Sequence, residues 1–371
     1  MPRRMEMDRW LLLATLGLCF IGAVMVFSAS AVTAREQFGH SYVFLLRQLA
    51  WLVLGLAGML LLMNVDYRRL REPAVVFPAL FIVLALLVAV LFAGKSHATH
   101  RWLRLGSLSF QPAELAKLAV ILYLAWFLEL KRRTKASLEF NAGDLKRTLL
   151  PAMAPVLAIL VLVLIQPDLG TPVEMLLIVA AILIAAGISW KWLAAGAGAA
   201  LPAMYLLIRL VSYRQGRIGG FFHPQEDPLG RGFQLLQSLI AVGSGGFTGV
   251  GLMESKQKLF YLPEAHTDFI YAVLCEEWGF IGGVLLVSLF AVYGWRGMRA
   301  AWAAPDGFGR LLALGVTTMV LFQALINFSV VLGMMPTKGI PLPFVSYGGS
   351  SLLSMLLATG VLLNISQQAA D

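Results

Sequence analysis

Charge is scarce in this chain. Asp, Glu, Lys and Arg make up only 13% of its 371 residues, against about a quarter in soluble globular domains, which argues against an ordinary soluble enzyme. A hydrophobic share of 59% excludes a disordered chain, which needs low hydrophobicity and high net charge. Cysteine is nearly absent. Cys19 and Cys275 lie inside apolar runs, in no CxxC motif and no disulfide framework, and read as packing residues. Five scattered histidines offer no all-protein zinc site of the usual spacing. The connecting segments expected on the cytoplasmic side contain no Gly-rich loop with a following Lys and Ser or Thr, so an ATP-driven pump is not expected.

What the chain has in quantity is long apolar runs. The net charge of +9 suggests nucleic acid at first, but the charges fall in short clusters between runs of about 20 apolar residues, the length that crosses a ~30 Å hydrocarbon core. No nucleic-acid partner is expected. The fold class is an all-α polytopic membrane protein forming a single transmembrane domain over residues 1–371. About ten spans are expected, near residues 10–31, 43–64, 73–93, 112–130, 148–166, 172–189, 192–212, 267–295, 309–334 and 343–365. Basic residues precede the first run as in a signal peptide, but the run from Trp10 to Ala31 exceeds a signal h-region and reads as a retained span.

Orientation follows from Lys and Arg in the loops. One side collects Arg3, Arg4, Arg9, Arg68, Arg69, Arg71, Lys131, Arg132, Arg133, Lys135, Lys146, Arg147, Lys191, Arg296, Arg299 and Arg310; the short loops opposite hold only Arg35, Arg47, Lys95, Arg101, Arg104 and Lys338. Both termini are therefore expected in the cytoplasm. The longest polar segment, 213–266, becomes a large extracytoplasmic loop between helices 7 and 8. Chemistry on that face requires a substrate activated beforehand, because ATP is absent there.

Charged residues inside spans are costly in lipid and mark protein interiors or wet cavities. Glu114 and Lys117 are one helical turn apart at the start of the fourth span and share a face, either as a packing ion pair or as part of a site. In Gln166-Pro167-Asp168-Leu169-Gly170-Thr171, Asp168 either caps the next helix or binds a cation. In Glu264-Ala265-His266-Thr267-Asp268, Asp268 either caps the eighth span or acts as a general base at its outer mouth. Glu276 and Glu277 are deeper and read as polar-network groups. The run Pro336-Thr337-Lys338-Gly339, with Pro341, Pro343 and Ser346-Tyr347-Gly348-Gly349, either frees backbone groups for a ligand or packs helices closely through small residues. By parity Arg101, Arg104, Glu114, Lys117, Asp168, Asp268 and Lys338 all fall in the outer half.

Four separated motifs carry a family resemblance: Arg101-Trp102 with Phe110-Gln111-Pro112-Ala113-Glu114 and Lys117; Gln166-Pro167-Asp168-Leu169-Gly170-Thr171; Leu262-Pro263-Glu264-Ala265-His266-Thr267-Asp268-Phe269-Ile270; and Ser346-Tyr347-Gly348-Gly349-Ser350. In that order they resemble the SEDS family (shape, elongation, division and sporulation), of the FtsW and RodA type, with the division branch favoured over the elongation branch. The resemblance implies a peptidoglycan glycosyltransferase that polymerises lipid II at the outer face of the bacterial cytoplasmic membrane; a lipid II flippase or a non-catalytic scaffold for a transpeptidase is the alternative. It implies Asp268 as the catalytic carboxylate, and Arg101, Glu114, Lys117, Lys338 and Ser346 at the substrate. Lipid II, undecaprenyl-pyrophosphate-linked glycan, membrane lipid and a class B penicillin-binding protein follow as partners. A divalent cation, Mg or Mn, with Asp168 as a possible ligand, is the alternative to cationic side chains at the leaving group. Glu174 departs from the family pattern, placing a carboxylate in an apolar span.

Overall fold

The computed structural model describes residues 7–92, 101–105, 108–134, 148–210 and 212–368. Arg3, Arg4, Lys95, Lys135, Lys146 and Arg147, used above for orientation, lie outside them, as does the side chain of Arg104. Among the described residues the helices are α1 (Arg9–Phe38), α2 (Val43–Asn64), α3 (Pro73–Phe92), α4 (Pro112–Thr134), α5 (Leu150–Ile165), α6 (Gly170–Ala185), α7 (Trp190–Arg209), α8 (Ser212–Phe222), α9 (Phe233–Ser244), α10 (Ile270–Trp302), α11 (Gly307–Val331) and α12 (Gly349–Gln367). One hairpin, Leu103–Leu105 with Leu108–Phe110, pairs antiparallel in the register Leu103 to Phe110 and is the small exception to an all-α fold.

Every expected apolar segment holds a helix. Seven of them, α1, α2, α3, α7, α10, α11 and α12, are long and apolar enough to cross a membrane. Helix α4 has the length, but Glu114, Lys117 and Glu129 interrupt its apolar run, and α5 and α6 have 16 residues each. Several boundaries move outward, among them the ends of α4 at Thr134 and of α10 at Trp302. α1 continues to Phe38 rather than Ala31, because Arg35, Glu36 and Gln37 are good helix formers, and it stops where Gly39 takes a left-handed φ of 76°. Its start is set by Asp8, whose carboxylate accepts from Leu11 N at 3.0 Å.

Interior polar side chains stitch the bundle. At the end holding the start of α1 and the finish of α12, Asp8 pairs with Arg296 at 2.7 Å, and Asp306 accepts from Tyr67 at 3.2 Å. Asn364 accepts from Tyr67 N at 2.9 Å and donates to Met63 O at 2.7 Å. The Asn364 contacts satisfy backbone groups where α2 stops, the requirement that an apolar surrounding imposes.

Segment 213–266 is not a loop clear of the bundle. It contains α8 and α9, and its stretch after α9 folds onto α10. Helix α10 breaks at Gly279, where φ is 65° and ψ is −162°. The freed carbonyls of Glu276 and Glu277 accept from Val250 N at 3.0 Å and Gly251 N at 3.1 Å, and Phe280 N donates to Gly246 O at 3.0 Å. An added Cβ at Gly279 meets Gly249 N at 2.3 Å, so glycine serves both the conformation and the close approach. Glu276 itself accepts from Ser255 Oγ at 2.5 Å and Lys256 N at 3.0 Å. The Lys258 ammonium reaches Glu277 at 2.8 Å and Ser28 of α1 at 3.1 Å.

Candidate functional site

The first polar centre surrounds Lys117 on α4, which is wholly buried. Its ammonium lies 3.1 Å from Glu114 Oε2, one turn back on the same helix. Glu174 of α6 receives it bidentately at 3.0 and 3.1 Å, and Gln323 Oε1 of α11 at 2.6 Å. The i,i+3 pair expected from the sequence is present, and Glu174, the departure in α6, completes it. With its donors turned to protein groups and no exposed surface, this ammonium meets no solvent-borne ligand in this conformation.

The second element is the α5–α6 turn. Asp168 is buried; its Oδ1 accepts from Gly170 N at 2.9 Å and Thr171 N at 3.4 Å, and its Oδ2 from Thr171 Oγ1 at 2.8 Å. That is the capping alternative. Arg101 donates from Nε to Gln166 O at 3.0 Å and from Nη2 to Pro167 O, tying the hairpin to the same turn. Among the described residues no group of three or more His, Cys, Asp and Glu is placed to hold a metal. With the Asp168 oxygens engaged by their own turn, the described residues around it do not assemble a site for a divalent cation, and no step below runs through one.

The third element joins the end of segment 213–266 to the α11–α12 connection. Three consecutive carbonyls are gripped from that side: His266 O by Tyr347 N at 3.0 Å, Thr267 O by Ser346 Oγ at 2.5 Å, and Asp268 O by Asn327 Nδ2 at 2.8 Å. Ser346 Oγ also accepts from Leu342 N at 2.8 Å, so its hydroxyl serves the backbone of this junction. The carboxylate of Asp268 is treated differently. Helix α10 starts after Phe269, and no side chain caps it, so the capping alternative does not describe Asp268. Among the described residues its oxygens accept no hydrogen bond. Gly339 faces them, and a Cβ there stands 2.9 Å from Asp268 Oδ2.

The electrostatic surroundings are mixed. Burial pushes the Asp268 carboxyl up to about 7, Glu264 adds to that effect, and Arg217 and Arg101 oppose it. Burial lowers Lys338, against the pull of Asp168, and lowers His266. Arg217 donates to Thr337 O at 3.3 Å, next to Lys338. Arg101, Asp168, Asp268 and Lys338 thus share one field, whereas Glu114 and Lys117 are joined to this junction by hydrogen bonding through Gln323, whose amide donates to Pro341 O at 2.8 Å. Gly349 follows the close-packing alternative, since a Cβ there meets Trp51 Nε1 at 2.0 Å. Sequence reasoning passed over Arg217, Gln323 and Asn327. Gln323 and Asn327 carried a signal, being polar, four residues apart and on one face of an apolar span.

The motifs and this junction meet in comparison with known proteins. Residues 9–371 match the FtsW/RodA/SpoVE family of cell cycle proteins. The chain belongs to that family. A probable peptidoglycan glycosyltransferase FtsW of Trichlorobacter lovleyi is 44% identical over 98% of this chain and 94% of its own. Stage V sporulation protein E of Bacillus subtilis is 43% identical over 97% of each. Among solved structures, a chain of a peptidoglycan synthase complex that coordinates polymerization and crosslinking superposes with a TM-score of 0.78 at 34% identity, covering 97% of this FtsW/RodA/SpoVE family member and 98% of that chain. The rod shape determining protein RodA of Thermus thermophilus gives 0.71 at 31%, covering both chains fully.

Proposed function

We propose that this chain is a peptidoglycan glycosyltransferase that joins lipid II to a growing glycan on undecaprenyl pyrophosphate at the outer face of the cytoplasmic membrane. The observation that carries this is the Asp268 carboxylate, which has no capping partner, sits on a clamped backbone and has its pKa moved to about 7, where a general base works best near neutral pH. In the reaction an acceptor hydroxyl of lipid II attacks the anomeric carbon of the donor. Its proton passes to Asp268, the bond from that carbon to the pyrophosphate breaks, and undecaprenyl pyrophosphate leaves. Arg101, Arg217 and Lys338 supply positive charge for the departing anion. The energy is stored in the pyrophosphate link, so the absence of ATP on that face is no obstacle.

We read the chain as ten spans with cytoplasmic termini, the arrangement that its Lys and Arg bias favours; in that arrangement Asp268 lies on the outer side. A class B penicillin-binding protein is the proposed partner, in keeping with the synthase complex noted above, and the division or sporulation branch is favoured by relatives at 43 and 44%. The test is strand formation by the purified chain from fluorescent lipid II. Parent protein should form strands and Asp268→Asn should not; strands at the parent rate from the Asn variant would defeat the base assignment, and lipid II crossing vesicles without polymer would favour a flippase. For orientation, cysteines placed at exposed Glu226 and Glu72 should react with an impermeant thiol reagent before and only after lysis, respectively. Cys19 and Cys275 are buried and leave that assay clean. The reverse pattern would invert the topology.

A further inference from the structure

Asn327 lies near the outer end of α11, 2% exposed. Its Nδ2 donates to two carbonyls from different parts of the chain, Asp268 O at 2.8 Å and Ile340 O at 2.8 Å. Asp268 carries the unbonded carboxylate, and Ile340 follows Lys338 and Gly339. A single amide therefore fixes the separation between the proposed base and the segment that carries a proposed leaving-group cation. One turn back on the same face, Gln323 donates to the next carbonyl, Pro341 O, at 2.8 Å. The orientation of that second amide is fixed too. Its oxygen accepts from the Lys117 ammonium at 2.6 Å, so its NH2 group must face Pro341.

We infer that Asn327 is a positioning residue for Asp268, with Gln323 holding the adjoining residue of the same strap. Asn327 stays clear of substrate and acts only through the main chain it holds. The alternative, an amide that merely satisfies buried backbone, does not explain why one side chain bonds to both segments while its own Oδ1 stays buried without a partner. An orphaned acceptor has a cost, and it is tolerated here where the two donors are in use. Geometry makes the expected effect large, because displacement of a reacting group by about 1 Å is enough for a loss on the order of a hundredfold.

This inference rests on the reading of Asp268 as base, so the experiment separates the two. In the lipid II polymerisation assay with the full chain, Asn327→Leu removes both donors, and Asn327→Gln keeps the amide but displaces it by one methylene; the second stands in should the first not fold. Either should lower kcat by about ten- to a hundredfold, with KM for lipid II changed by less than about twofold. In an Asp268→Asn background, or Asp268→Glu where the Asn variant is too slow to follow, the same Asn327 change should add less than about twofold, since the group it positions is already impaired. An unchanged kcat in a folded Asn327 variant, or losses that multiply in the double variant, would overturn the positioning role. Asp268→Asn at the parent rate would instead remove the base, and the role of Asn327 with it.

Discussion

Two charged centres in this protein, one fully buried and one half-buried, are built on opposite plans. Around Lys117 the charges are bonded to one another: one ammonium faces two carboxylates and an amide oxygen, which leaves one net negative charge, and almost nothing reaches solvent. At Asp268 the backbone carbonyls are held and the carboxylate accepts no hydrogen bond among the described residues. A satisfied charge is inert because its environment already stabilises one protonation state, whereas an unsatisfied one is ready to take a proton from something new. Charge at depth therefore does not by itself mark the chemistry. The bonding around each charge distinguishes them.

The largest effect should come from breaking the second plan. Asp268→Asn is expected to lower polymerisation by about two to four powers of ten while leaving the fold intact, read as strand length and rate from lipid II beside thermal unfolding in detergent. The same carboxyl gives a pH dependence whose sign follows from its raised value of about 7. The base must be ionised, so the rate should climb as pH rises through about 7. Stability should move the other way, because a fold that favours the protonated acid loses stability as pH rises from the ordinary 3.8 toward 7. Asp268→Asn should accordingly unfold at a higher temperature than the parent at pH 8. A lower unfolding temperature there would contradict the account of burial.

The first plan should fail through stability. Lys117→Met strands Glu114 and Glu174 and is expected to destabilise by about 3–5 kcal/mol, whereas adding Glu114→Gln and Glu174→Gln should recover most of the loss. Strictly additive changes in thermal unfolding would show that the three do not act as a unit. The smallest effect belongs to Ser346→Ala, which removes one grip on Thr267 O and leaves Leu342 N without its acceptor. About 1–3 kcal/mol is expected for the buried groups left unpaired, with KM for lipid II unchanged. A rise in KM alone would return Ser346 to a substrate contact.

Much of this was legible in the sequence, for a physical reason. Lipid demands long apolar runs, so the helices announce themselves by length, and charges inside them mark the two centres. Asp268 and the Glu114–Lys117 pair were visible because their motifs are local. Glu174 was visible only as an oddity, since its partner lies 57 residues away and their meeting depends on how α4 packs on α6. Asn327 and Gln323 were hidden by hydropathy, which averages two amides into an apolar helix. The inward fold of segment 246–251 was hidden too, because Gly279 in a helical run reads as a small packing residue until its φ of 65° is seen. α8, with Gly216, Gly219 and Gly220, has a composition that favours loop over helix.

The grip on three successive carbonyls has a consequence for turnover. Fixing a residue's backbone costs about 1–2 kcal/mol in conformational entropy, and at His266, Thr267 and Asp268 that cost is met once, when the chain folds. A base carried on a loose loop would meet it again with each sugar added. For an enzyme that repeats one bond-forming step along a strand, an ordered carboxylate at the start of each cycle keeps the barrier the same from the first unit to the last.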